Sequence, residues 1–207
     1  MGSPGRRSGA GVLKAGEVHV WRVWLDELRP ERLAEPTIGE NSRAAGFHAE
    51  EVRRRYLRAH GALRSILSGV TGARLDFALT EKGKPYLPAA PGVRFNLSRS
   101  AGCALVAVSL EVDVGVDVER LRPLPEYRAI AHRFFPPSEG APRDERDFFR
   151  RWTRIEAMLK ARGIGLYGAG AELGGKWTVQ EIDAGESYAA AVAAAAEGME
   201  ALVHDFR

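Results

Sequence analysis

The chain has 207 residues, enough for one domain with a sizeable core or for two small packed halves. At 45% hydrophobic and 28% charged it is neither disordered nor fibrous, and no apolar run approaches the roughly 20 residues a membrane helix needs. A net charge of +3, from 30 Lys and Arg against 27 Asp and Glu, is too balanced to argue for nucleic acid.

Residues 1–15 carry Arg6, Arg7 and Lys14 with no acid, amid Gly, Ser and Pro. They read as a disordered start without a signal peptide, which makes the cytoplasm the expected compartment. Residues 17–25 have the β-branched and aromatic residues of a strand. Over 48–70, Val52, Tyr56, Leu63, Ile66 and Leu67 fall near helical spacing, with His60 as a packing or surface residue. This helix also carries Arg53, Arg54, Arg55, Arg58 and Arg64, either a solvated face or an anion site. Residues 75–87 suggest a strand or hairpin broken at Gly83 and Pro85. Strands are expected at 93–97 and 104–110, joined by a polar turn containing Ser98, Arg99, Ser100 and Gly102. The single cysteine, Cys103, excludes a disulfide framework and reads as a small core residue beside Ala104 and Leu105.

Residues 111–119 place Val112, Val114, Val116 and Val118 on one face, as in a strand with one buried side. Helices follow at 126–134 and 144–162, then strands at 177–182, 188–192 and 201–205. The order implies an α+β protein of two halves, 16–110 and 111–207, behind the disordered 1–15.

Asp117 and Glu119 lie two apart in the sixth of these segments and so share a strand face. Alone, the pair reads as an exposed polar face; the alternative is a cation site. On the later helix Phe148, Trp152, Ile155 and Leu159 form the apolar stripe, and Glu156 sits at its edge. A part-buried carboxylate needs a partner. Lys160, four residues on, is one candidate; a metal shared with Asp117 and Glu119 is the other, and oxygen donors suit Mg²⁺.

Gly115-Val116-Asp117-Val118-Glu119, followed by Trp152-Thr153-Arg154-Ile155-Glu156-Ala157 and Lys160, resembles the paired signature of the 4′-phosphopantetheinyl transferases, closest to the surfactin-synthetase type. Gly83-Lys84-Pro85, Phe95-Asn96-Leu97-Ser98, Arg133-Phe134-Phe135 and Lys160 with Gly163-Ile164-Gly165-Leu166 are similar to further elements of that family. The resemblance implies two similar α+β halves packed as a pseudo-dimer with the site between them. It implies an Mg²⁺-dependent transfer of phosphopantetheine from coenzyme A to a serine of an apo acyl or peptidyl carrier protein. Asp117, Glu119 and Glu156 would hold Mg²⁺, Glu156 would accept the serine proton, and Lys160 would face the diphosphate. Lys84 and Pro85 would flank the adenine and its phosphates, Ser98 and Arg99 would lie in the phosphate-binding motif, and Arg43 with Arg55 would meet the 3′-phosphate. Leu124, Phe134, Phe135 and Pro136 would receive the carrier.

Two positions depart from the pattern: Arg99 stands where the family usually has histidine, and Ile155 where many members have lysine. They favour a rival reading, a non-catalytic relative that binds coenzyme A or a carrier. A nucleic-acid binder using the arginine helix lacks an aromatic platform. The Gly163, Gly165, Gly168, Gly170 run follows a helix instead of opening one, so it reads as a cap and connector. If both halves build one site, a monomer suffices, with no membrane or nucleic-acid partner.

Overall fold

The computed structural model describes residues 13–72, 75–164 and 174–207; the expected N-terminal disorder and the glycine run beyond Gly163 fall largely outside them. In chain order the elements are β1 (Glu17–Trp24), α1 (Ile38–Ala45), α2 (Glu50–Thr71), β2 (Ala78–Leu79), β3 (Pro85–Tyr86), β4 (Val93–Ser100), β5 (Cys103–Leu110) and β6 (Val114–Arg120). There follow α3 (Tyr127–Phe134), α4 (Glu145–Arg162), β7 (Thr178–Glu181), β8 (Tyr188–Ala194) and β9 (Glu200–Phe206). All the expected strands and helices form, β2 and β3 as a small hairpin. The sequence reading missed α1. Its start carries a capping box, in which the Glu40 backbone N–H donates to the Thr37 hydroxyl and the Thr37 N–H donates to the Glu40 carboxylate. Thr-x-x-Glu marks such a start, but only Ala44 of the helix is buried, so no apolar stripe drew attention to it.

β1 is apolar on both faces, and it lies inside a four-stranded sheet of order β4-β5-β1-β9. Val18 and Val20 face one way while Trp21 and Val23 face the other. On the second side Ala59, Ala62, Leu63, Ile66 and Leu67 of α2 close a core over Trp21, Val23, Phe95 and Val106. On the first, Val18, Val20 and Leu105 meet Val114, Val116, Val118 and Val192, from the three-stranded sheet β6-β8-β7. The two sheets therefore share a core. Residue 110 ends β5, but the chain does not stay divided there: β9 returns to pair in parallel with β1, Glu17 opposite Glu200. Among the described residues no helix is long and apolar enough to cross a membrane.

Helix α4 lies across β6 and β8 on a floor of small side chains. Ala157 packs against Ala191 and Ala193, which explains the alanine-rich sequence of β8. At Gly115 the approach is closest: an added Cβ would meet the Ala157 carbonyl oxygen at 2.0 Å and the Ala161 nitrogen at 2.4 Å. Only glycine lets helix and strand touch there. Because α4 covers this face, Asp117 is only 3% exposed, so the expectation that its side of the strand is open fails.

The seam between the sheets is made by side chains. β6 pairs with β8 along one edge only. On its other edge the backbone N–H groups of Val116, Val118 and Arg120 donate to Asn96 Oδ1, Ser98 Oγ and Ser100 Oγ at 2.9, 3.4 and 3.1 Å. Polar residues two apart in β4 thus match amides two apart in β6. Cys103 is fully buried as expected, and burial pushes its thiol up to about 12, which leaves it unreactive at physiological pH.

Candidate active site

The seam carries the acidic residues. Ser98 Oγ donates to Asp117 Oδ1 at 2.8 Å and Ser100 Oγ donates to Glu119 Oε2 at 3.1 Å. From α4, Lys160 Nζ reaches across to donate to Asp117 Oδ1 at 2.5 Å and to Ser98 Oγ at 3.0 Å. Lys160 therefore pairs with Asp117, not with Glu156 as the helical spacing suggested. Glu156 Oε1 and Asp117 Oδ2 are both buried and without a hydrogen-bond partner among the described residues.

That state is costly, and the titration behaviour reflects it. Burial pushes the Glu156 carboxyl above its ordinary value, and the nearby Asp117 adds to the rise. Burial likewise raises Asp117, against the pull of Lys160 and of the Ser98 hydroxyl.

Two orphaned carboxylate oxygens beside an ammonium are hard donors of the kind Mg²⁺ takes, so the residues present fit the expected ion. The third expected ligand, Glu119, lies close enough to act on both other carboxylates and accepts through one oxygen, Oε2, from Ser100 and, at 3.1 Å, from Arg122. Among the described residues no three acidic, imidazole or thiol groups gather closely enough to form a ready cage.

Arg99 points to the other side of β4, where its guanidinium lies over Tyr56 at 5.3 Å and Phe47 at 5.9 Å. Burial lowers its pKa, and Arg43 nearby adds to the effect, yet an arginine stays protonated at any working pH. Neither Arg43 nor Arg99 has a carboxylate partner among the described residues. Arg99 is thus an available cation against aromatic rings, with Arg43 near enough to act on it.

The arginines of the basic helix, α2, are spoken for. Arg55, expected beside Arg43, is held by Asp26 and Glu51, each at 2.5 Å. Arg58 donates to the Leu25 carbonyl, Arg53 to the Phe47 carbonyl, and Arg64 is buried on Glu40. The arginine-rich face is chiefly a set of ties to neighbouring segments. Lys84 and Pro85 line a cavity of about 370 Å³ with Tyr86, Phe95 and Gly163. The Lys84 ammonium donates to the Ala161 carbonyl at 2.7 Å. Ile155 is buried in the α4 core with Phe148 and Leu159, as its apolar character required.

Sequence reasoning quoted Asn96 and Gly115 only as motif letters and assigned Ser100 to a turn. Their roles were visible in principle as polar residues at period two and as a glycine inside a strand. Arg122 had no signal beyond its closeness to Glu119.

Asp117 paired with Lys160, beside the unpartnered Glu156, brings acidic oxygens and an ammonium together in the way that sites handling phosphoryl groups do. The profile of the 4′-phosphopantetheinyl transferase superfamily matches residues 113–197, which span β6, α4 and β8. The 4′-phosphopantetheinyl transferase HetI of a Nostoc species is 39% identical over 171 residues, covering 75% of this chain and 72% of that protein. A 4′-phosphopantetheinyl transferase of Bacillus subtilis is 35% identical over 105 residues, 47% of this chain and 46% of the relative. AcpT of Salmonella typhi, another such transferase, is 33% identical over 127 residues, 58% and 61% of the two chains. The chain belongs to the 4′-phosphopantetheinyl transferase family and is a transferase.

Proposed function

We propose that the chain transfers 4′-phosphopantetheine from coenzyme A to a serine hydroxyl of an apo acyl or peptidyl carrier protein, releasing 3′,5′-adenosine bisphosphate. The observation that carries this reading is the pair of buried, unpartnered oxygens on Asp117 and Glu156 beside the Lys160 ammonium. Asp117, Glu119 and Glu156 would hold Mg²⁺, whose charge would neutralise the coenzyme A diphosphate. Glu156 takes the proton of the carrier serine, a role its raised pKa suits. The serine oxygen bonds to the phosphorus bearing pantetheine as the bond to the adenosine bisphosphate oxygen breaks. Lys160, held in place by Ser98, donates to the diphosphate oxygens on which charge builds.

Arg43 and Arg99 take the 3′-phosphate, supported by their lack of a carboxylate partner among the described residues, and guanidinium forks suit that group. Arg55, with two carboxylates of its own, is left out of this set. Pro85, Tyr86 and the stem of Lys84 wall the adenine cavity. The two sheets and their covering helices, α2 and α4, act as the halves of a pseudo-dimer, with the carboxylates on the shared seam. Since one chain carries every group named, a cytoplasmic monomer of the surfactin-synthetase type suffices.

The test is intact-mass analysis of an apo carrier after incubation with this protein, coenzyme A and Mg²⁺. A phosphopantetheine-sized gain that needs both the metal and Glu156, judged by Glu156→Gln, supports the proposal. If several carriers gain nothing while coenzyme A still binds, the departures at Arg99 and Ile155 decide, and the chain is a non-catalytic binder.

A further inference from the structure

Lys84 was expected beside the ligand, but its ammonium is committed elsewhere. Nζ donates to the Ala161 carbonyl at 2.7 Å and to the Val114 carbonyl at 3.3 Å, with Asp113 Oδ1 at 3.8 Å. Its side chain is only 14% exposed, and burial lowers its pKa despite Asp113. Ala161 lies in the last turn of α4, where carbonyls lack intrahelical donors. The left-handed Gly163 closes the same turn by donating to the Leu159 and Lys160 carbonyls, and an added Cβ there would touch the Lys84 stem at 3.4 Å. Val114 opens β6, one residue before Gly115.

One ammonium therefore bridges the end of the helix that carries Glu156 and Lys160 to the start of the strand that carries Asp117. The bridge sits at the contact that Gly115 allows, whose nearest atoms belong to Ala157, Lys160 and Ala161. We infer that Lys84 is a positioning residue: its ammonium staples α4 to β6 and so sets the register in which Lys160 meets Asp117 and Glu156 stands beside them. Its effect on turnover rests on the function proposed above; its effect on the helix end does not.

The experiment compares the full chain with Lys84→Met and Lys84→Arg. Coenzyme A and 3′-dephospho-coenzyme A affinities are measured by calorimetry, transfer by single-turnover mass analysis well below Tm, and amide exchange over residues 157–164. Lys84→Met is expected to speed exchange at the end of α4 at least tenfold. It should lower the transfer rate tenfold or more and change coenzyme A affinity less than threefold. Lys84→Arg, which keeps a donor, should recover part of the rate. A tenfold loss of coenzyme A binding that spares the dephospho form would make the ammonium a phosphate ligand and overturn the inference. An unchanged rate below Tm would reduce Lys84 to a stabilising residue and overturn it equally. If the wild type transfers nothing, the proposed function falls, while unchanged exchange at 157–164 would sink the staple independently.

Discussion

Alanine at Gly115 inserts one methyl group where there is no room for it. Its Cβ would stand 2.0 Å from the Ala157 carbonyl oxygen, 2.4 Å from the Ala161 nitrogen and 3.0 Å from the Lys160 carbonyl carbon. All three are backbone atoms of one rigid helix, so no side chain can swing away. α4 must lift by roughly 1 Å or more, or β6 must bend. Overpacking of this kind costs about 1–3 kcal/mol, and the backbone obstruction puts this site near the upper end. For a chain of this size each kcal/mol moves Tm by about 2–4 °C, so a loss of about 6–12 °C is expected. Lifting α4 also separates Glu156 and Lys160 from Asp117, and misplacement by about 1 Å can cost on the order of 100-fold in rate. Thermal melts give the first number, and carrier modification followed by intact mass at 20 °C below the mutant's Tm gives the second. Gly69→Ala is the control: that glycine lies on the exposed side of α2 with nothing within 4 Å of an added Cβ. It should gain up to about 1 kcal/mol from helix propensity. If Gly115→Ala melts within about 2 °C of wild type and keeps its rate, the close strand–helix contact does not set the site.

Three further changes probe the same construction. Glu156→Gln should abolish transfer yet raise Tm near neutral pH in the presence of a chelator. The raised carboxyl pKa means the native state keeps a proton to higher pH than the unfolded chain. Stability is therefore lost as pH rises beyond the ordinary 4.5, and the neutral amide escapes that loss; a lower Tm than wild type would refute this. His204 joins β9 to β1 through His19, 3.0 Å away, which in turn meets Glu17. Burial lowers its pKa and His19 adds to the effect, so the neutral form is favoured and stability should fall as pH drops below the ordinary 6.5. His204→Gln should flatten Tm against pH in that range, and an equally steep profile would count against it. Arg99→Ala should weaken coenzyme A about tenfold or more, the value of a charge-assisted contact, while 3′-dephospho-coenzyme A changes little. Equal losses for both ligands in calorimetry would remove Arg99 from the phosphate site.

The elements themselves were legible because periodicity reports burial: the valines of β6 and the stripe Phe148, Ile155, Leu159 both lie where their spacing put them. Partners were far less legible. Lys160 had a helical neighbour in Glu156, and Lys84 and Arg55 each had an expected anion in the ligand. Within the chain all three find other acceptors: Lys160 on Asp117, Lys84 on the Ala161 carbonyl 77 residues on, and Arg55 on Asp26 and, one turn back in its own helix, on Glu51. A sequence states which charges exist, but which charge meets which depends on strand order and on how closely a helix settles. Here that approach is governed by uncharged residues, Gly115 and the alanines of β8. The same holds at the seam. Asn96 read as a strand residue and Ser98 and Ser100 as a polar turn, because the amides they satisfy lie across a sheet edge that no local pattern reveals. Two of the three also hold the carboxylates, Ser98 on Asp117 and Ser100 on Glu119. The groups that join the two sheets are thus the groups that orient the acids, so any change that loosens the seam should disturb the chemistry before it unfolds the chain.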